Sequence, residues 1–269
     1  MNLKQQLQEI SENEYKIPEG ISIDTLVCEM MSSIGSVDSE LRDSLIYMTL
    51  YYWTIRNEIS PEIMKEMLYT CLDEDHLFLG LGENESDTVF TRAFSVLVVP
   101  LALTCNTQIN FLTEEDIQYT FDKITTYFHQ EKDFRGYVED KGWAHAVAHA
   151  SDALESIVNS SYVRADGLLT VLELILEKTH VSNPYYIHLE DERMTNVIVT
   201  IINRNVLSDE QLMNWIRRVG TYPETGIISD DFNRKGNARN LLRSVYFKLI
   251  DQQKEGLLLS EIITVLNKM

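Results

Sequence analysis

Glycine and proline are scarce. Among 269 residues there are 11 of one and 5 of the other, and most fall between runs of apolar residues rather than inside them. So few breakers leave little room for a turn-rich all-β fold. Cysteine is rarer still. Cys28, Cys71 and Cys105 lie far apart with no C-x-x-C pair, which cannot make a structural zinc site alone and fits reduced core thiols in a cytosol. Basic residues are outnumbered, 23 Lys and Arg against 42 Asp and Glu, for a formal net charge of -19. That balance argues against nucleic acid and anionic membranes as partners, since both require a basic surface. Long apolar runs are missing too. The most apolar stretch, FSVLVVPLALTC, is about half a bilayer span, and the polar start MNLKQQLQEISENEYK has no signal-peptide core. The expected location is therefore the cytoplasm.

What remains is helical periodicity. SELRDSLIYMTLYYWTIRN repeats apolar residues at three and four. Ser60-Pro61-Glu62 restarts a helix, with Ser60 as N-cap and Pro61 at the first helical position. SDTVFTRAFSVLVVPLALT forms another helix, bent at Pro100. Thr113 to Asp116 and Ser208 to Gln211 spell capping boxes. No convincing alternating strand is present, so the fold class is all-α. Longer helices begin near residues 39, 86, 142, 189 and 236, each followed by a shorter partner. The spacing predicts stacked antiparallel helical hairpins, an α–α superhelix of the HEAT and armadillo kind. Residues 1–37 form a helical cap with one amphipathic helix around Ile23 to Met31. Residues 38–269 form the repeat domain as a single unit. A closed bundle is the alternative architecture.

The stretch KGWAHAVAHASD, residues 141 to 152, differs from the rest. On a helix over 142–158, Trp143, Val147, Ala150, Leu154 and Ile157 make a core stripe, and His145, His149, Asp152 and Ser156 share the opposite side. From Trp143 to Leu154 there is no Lys, Arg, Glu or Gln, the residues that normally coat a solvated helix face. The imidazoles are either solvated, satisfied by a neighbouring helix, or part of a site. As a site, two histidines four apart with Asp152 have metal-ligand spacing, and zinc or another divalent ion is the cofactor to consider. The Glu of H-E-x-x-H is absent, however, and no P-loop, G-x-S-x-G elbow or Rossmann glycine set occurs. His145, His149 and Asp152 could otherwise serve as an acid–base group.

A second pattern crosses the repeats. Each long helix carries a basic or imidazole residue near its predicted N-terminus: Arg42, Arg92, His145, Arg193 and Arg239, with Arg243 a turn further on. Such cations oppose the helix dipole, so they need another reason. One reason is a ladder of ion pairs with Asp43, Asp87, Asp152, Glu190 and Asp191. The other is a groove whose arginines hold an anion. Arg92, inside VFTRAFSVLVV, must pair with an acid or reach a wet groove.

RGYVEDKGWAHAVAHASD, preceded by EKDF, resembles the hallmark of an uncharacterised bacterial family, the domain-of-unknown-function 2785 family. The likeness extends to GLGENESDTVFTRAFSVL, HLEDERM and NARNLLRSVYFKL, and covers most of the chain after about Ser39. It implies a soluble bacterial protein and points to Arg92, Arg135, Lys141, Trp143, His145, His149, Asp152, Glu190, Asp191 and Arg193 as ligand-binding positions. Ala93 stands where the family pattern often has a serine. The leading functional expectation is a binding scaffold whose Arg/His groove takes a small anionic ligand or an acidic peptide. A hydrolase using His145, His149 and Asp152, and a pure protein-interaction scaffold, are the alternatives.

Overall fold

The computed structural model describes residues 2–222 and 224–269. It is all-α apart from one two-residue-per-strand hairpin. The chain divides into two compact units, one reaching to Ser156 and one running from Ile157 to Met269.

In the first unit, α1 (Leu3–Glu12) and α2 (Ile23–Ser32) precede a π-helical segment (Glu40–Tyr47) that continues directly into α3 (Met48–Ile55). Then come α4 (Pro61–Cys71), α5 (Thr88–Ser95), α6 (Val98–Ile109) and α7 (Glu114–Gln130). The sequence signals at the helix starts hold. Ser60 accepts from the Ile63 amide with Pro61 at the first position, and Thr113 and Asp116 close a reciprocal capping box. Helix α1 was not visible as an amphipathic element, because it buries only Leu7 and Ile10. Its start is fixed by an Asn2–Gln5 capping box, and it packs on the π-helical segment and α3. Helices α2, α4 and α6 stack in series, and α3 also leans on α6. Helices α1 and α2 thus pack within this unit.

The expected bend at Pro100 is a break placed one turn earlier. Proline has no N–H to offer the carbonyl four residues back, which belongs to Val96. That carbonyl instead accepts from the Val99 amide at 3.2 Å, so α5 ends at Ser95 and α6 begins at Val98. The stretch Thr88–Ile109 is apolar enough to cross a membrane by composition, with mean hydropathy 1.7 over its most apolar 18 residues, but 78% of those are buried. Here it is core.

After α7 the chain forms β1 (Tyr137–Val138) and β2 (Gly142–Trp143), antiparallel, pairing Tyr137 with Trp143 and Val138 with Gly142. Helix α8 (Ala146–Val158) follows. The second unit holds α9 (Ala165–Thr179), α10 (Glu190–Asn203), α11 (Asp209–Val219), α12 (Ile228–Asp251) and α13 (Leu257–Lys268). Here the hairpin logic is plain: α10 packs on α12 and α11 on α13, one hairpin stacked upon the next, with α9 against the first. Ser208 and Gln211 cap α11 as expected. Helix α12 starts eight residues before the expected 236, running through Gly236. A Cβ there would lie 2.4 Å from the Tyr185 ring, so this glycine serves close packing and not a helix end.

Candidate functional site

The central motif is a hairpin and a helix, where a continuous helix from 142 was expected. Asp140 and Gly142 both have positive φ, at 64° and 78°, and turn the chain between the strands. His145 also has positive φ, 51°. Its amide donates to the Arg135 carbonyl and its carbonyl accepts from the His149 amide, both at 3.0 Å, so it ends the hairpin and opens α8. Histidine tolerates this region better than most residues. The helical wheel is therefore wrong at its first turn. Trp143 is on β2 and 38% exposed instead of core, and His145 is 8% exposed instead of outward-facing.

One buried arginine holds this hairpin and a second holds the segment that leads into it. Arg42, in the π-helical segment, donates to the carbonyls of Ser36 (2.6 Å), Lys141 (2.8 Å) and Trp143 (3.3 Å). Its Nε sits 2.7 Å from Asp43 Oδ1, and the guanidinium stacks over Phe90 and Phe94 at 4.4 and 4.7 Å. Burial lowers the Arg42 pKa and raises that of Asp43, each partly offset by the other. The strand fits against this side chain because residue 142 is glycine: a Cβ would meet Ser39 Cβ at 2.6 Å and Arg42 Nη2 at 3.1 Å.

Arg92 pairs with Glu131 through both oxygens, Nε to Oε2 at 2.7 Å and Nη2 to Oε1 at 2.9 Å. Its Nη1 serves Leu79 O, Gly80 O and Thr88 Oγ1. Burial works against the charge, and Glu131 outweighs it, holding the Arg92 pKa above its ordinary value. Glu131 also accepts the amides of Lys132 and Asp133. Buried Asp133 grips Arg135, whose Nη2 reaches the Ser86 carbonyl, and Lys141 pairs with Asp87 at 2.7 Å. The EKDF segment and the loop before α5 are thus stitched by charge. Of the two reasons offered for an arginine in α5, pairing with acid is the one found. The partner, Glu131, was missed, although it stands just upstream of the motif.

The imidazoles complete a run of rings from surface to core within the first unit. Tyr137, 57% exposed, meets Trp143 edge-on at 5.2 Å; Trp143 stacks on His145 at 4.8 Å; His145 lies 5.6 Å from His149; His149 meets Phe94 at 5.1 Å. His149 Nδ1 is 3.1 Å from the Ala93 carbonyl. A carbonyl only accepts, so Nδ1 carries a proton in this contact. Asp152 is half-buried on α8 and engaged. Among the described residues, no three His, Cys, Asp or Glu side chains converge to hold a metal ion.

The row of N-terminal cations dissolves in part. Arg42 and Arg193 do lie in the first turn of their elements. Arg92 sits in the last turn of the short α5, where the dipole favours it, and Arg239 falls mid-way along α12 with Nη1 on the Leu266 carbonyl.

Glu190, Asp191 and Arg193 belong to the second unit. Glu190 is buried, its carboxylate accepting the His188 amide at 2.9 Å, and burial raises its pKa. Asp191 accepts from Ser244 Oγ at 2.8 Å, and Asn203 donates to Gln252 at 3.1 Å, so α10 and α12 run parallel. Between them opens a cleft of about 580 Å³. Arg193, Thr195 and Asn196 line it from α10, and Arg243, Phe247 and Lys248 from α12. Arg193 is engaged by other groups, whereas among the described residues the side chains of Arg243 and Lys248 have neither ion pair nor hydrogen bond. The hydroxyl of Thr195, 1% exposed, also lacks a partner. Lys248, Asn196 and Thr195 escaped the sequence reading, although Arg243, Ser244, Phe247, Lys248 and Asp251 fall on one helical stripe.

No curated protein and no solved structure matches the chain. A family model matches residues 77–247, a span that holds the Arg92–Glu131 pair, the histidine hairpin and most of the α10–α12 cleft. The chain therefore belongs to the family described as protein of unknown function, DUF2785.

Proposed function

We propose that this protein is a binding scaffold for a small anionic ligand, held in the cleft between α10 and α12. The observation that carries the reading is the pair of unpartnered cations, Arg243 and Lys248, facing one cleft in a chain of net charge -19. Most other charged side chains around the central motif are matched: Arg92 by Glu131, Arg135 by Asp133, Lys141 by Asp87. Arginine and lysine without a direct ion pair in a concave site favour a carboxylate or phosphate guest. The Asn196 amide adds hydrogen bonding at the same wall. A cleft of about 580 Å³ is of the size that takes a small molecule. The ligand positions expected at Arg92, Arg135 and Lys141 serve the fold in this reading, and Arg193 is kept as part of the cleft.

The test is calorimetric titration with citrate and, separately, a hexaglutamate peptide, at low and high salt. Citrate binding that weakens with salt and is lost in Arg243→Ala/Lys248→Ala supports the reading. Binding of hexaglutamate without citrate would replace the small ligand by an acidic peptide. Citrate binding unaffected by the double substitution would place the anion elsewhere.

A further inference from the structure

The cleft has two cationic positions separated by an apolar one, and that order specifies a ligand. On α12, Arg243 and Lys248 are five residues apart, about 7.5 Å of helix rise. Phe247 lies between them and is 66% exposed, with no polar atom of its own. The parallel course of α10, fixed by the Asp191–Ser244 and Asn203–Gln252 bonds, brings Arg193 beside the Arg243 end and Asn196 toward the Lys248 end. Each end also carries one acid. Glu192 precedes Arg193, and Asp251 lies one turn beyond Lys248.

Resting on the reading of the cleft as an anion site, we infer that its ligand is a linear dicarboxylate with an apolar middle, one carboxylate at Arg243 and Arg193 and the other at Lys248. The apolar chain lies over the exposed face of Phe247, where it removes both surfaces from water. A guest with one anionic head leaves one cation unmatched. A compact dianion cannot reach both. Phosphate heads are disfavoured because Glu192 and Asp251 repel a second charge at either end.

The experiment compares three probes on the full-length protein by calorimetry. Suberate has two carboxylates joined by six methylenes, octanoate has the same length with one carboxylate, and oxalate has two carboxylates in direct contact. Suberate is expected to bind at least tenfold more tightly than either. Arg243→Ala and Lys248→Ala, both at exposed positions, are each expected to reduce suberate to the level of octanoate, with circular dichroism unchanged. Equal binding of all three probes would overturn the two-headed ligand and leave a general anion site. Oxalate binding best would overturn it in favour of a compact ligand. No binding of any of the three, together with no binding of citrate, would remove both this inference and the function it rests on.

Discussion

Arg92 and Glu131 meet as a bidentate ion pair, 2.7 and 2.9 Å between heavy atoms, with both side chains essentially out of solvent. The pair ties α5 to the segment that leads into the hairpin. Removing one partner leaves a buried charge uncompensated, which costs about 3–5 kcal/mol. Arg92→Ala and Glu131→Ala are each expected to lose stability of that order in urea unfolding, and the double variant is expected to lose less than their sum. Full additivity would mean the two charges do not depend on one another.

Gly142 is predicted to be intolerant of a methyl group for two separate reasons. Its φ of 78° disfavours any side chain, and a Cβ would press on Ser39 at 2.6 Å. Gly142→Ala is expected to cost more than about 1 kcal/mol and to loosen the hairpin, seen as faster exchange of the Ala144 and His145 amides that bond to Gly136 and Arg135. Unchanged exchange would contradict the fit described for Arg42 against this strand.

Asp116 sets a pH dependence. Burial pushes its pKa up, but bonds from Lys65, Tyr69 and Thr113 outweigh this and hold it well below the ordinary 3.8. The same contact pushes the Tyr69 pKa up to about 12. A carboxylate depressed in the folded state stabilises fully above its unfolded pKa and loses that contribution as pH falls through the folded value. Asp116→Asn is expected to be less stable than the parent by about 2 kcal/mol at neutral pH, since the Lys65 end is exposed and partly screened. The gap should narrow as pH falls below the ordinary 3.8 of the unfolded chain and close only below the depressed folded value. A gap independent of pH would show that capping, not charge, is what Asp116 contributes.

These features differ in how far the sequence disclosed them. Caps at Ser60, Thr113 and Ser208 were legible because a cap is a local event between residues three apart. The need of Arg92 for an acid was legible because burial of a bare guanidinium is prohibitive, yet its partner lay 39 residues away and no local rule selects it. The conformation of His145 was not legible. Its positive φ is imposed by the hairpin bonds at Arg135 and Gly136, and the alanines around it read as helix. The α10–α12 cleft escaped for a similar reason: its walls come from segments about fifty residues apart, and only their parallel packing makes Arg243 and Lys248 neighbours of Asn196.

Thr195 is predicted to cost the fold stability. Its buried hydroxyl lacks a partner, a state that costs about 1–3 kcal/mol, while most buried threonines here return their hydroxyl to the carbonyl four residues back, as Thr54, Thr120 and Thr179 do. Thr195→Val keeps the shape and removes the cost. The variant is expected to be more stable than the parent by about 1 kcal/mol in urea unfolding. A variant that is less stable would mean the hydroxyl is satisfied within the fold.

The central claim is that the cleft between α10 and α12 is the anion site, and amide chemical shifts report on it most directly. In a titration of uniformly ¹⁵N-labelled protein with suberate, saturable shifts are predicted at Arg193, Asn196, Ser244, Phe247 and Lys248, and their disappearance in Arg243→Ala/Lys248→Ala. Shifts confined to the hairpin around Trp143 and His145, or shifts that persist unchanged in the double variant, would contradict it.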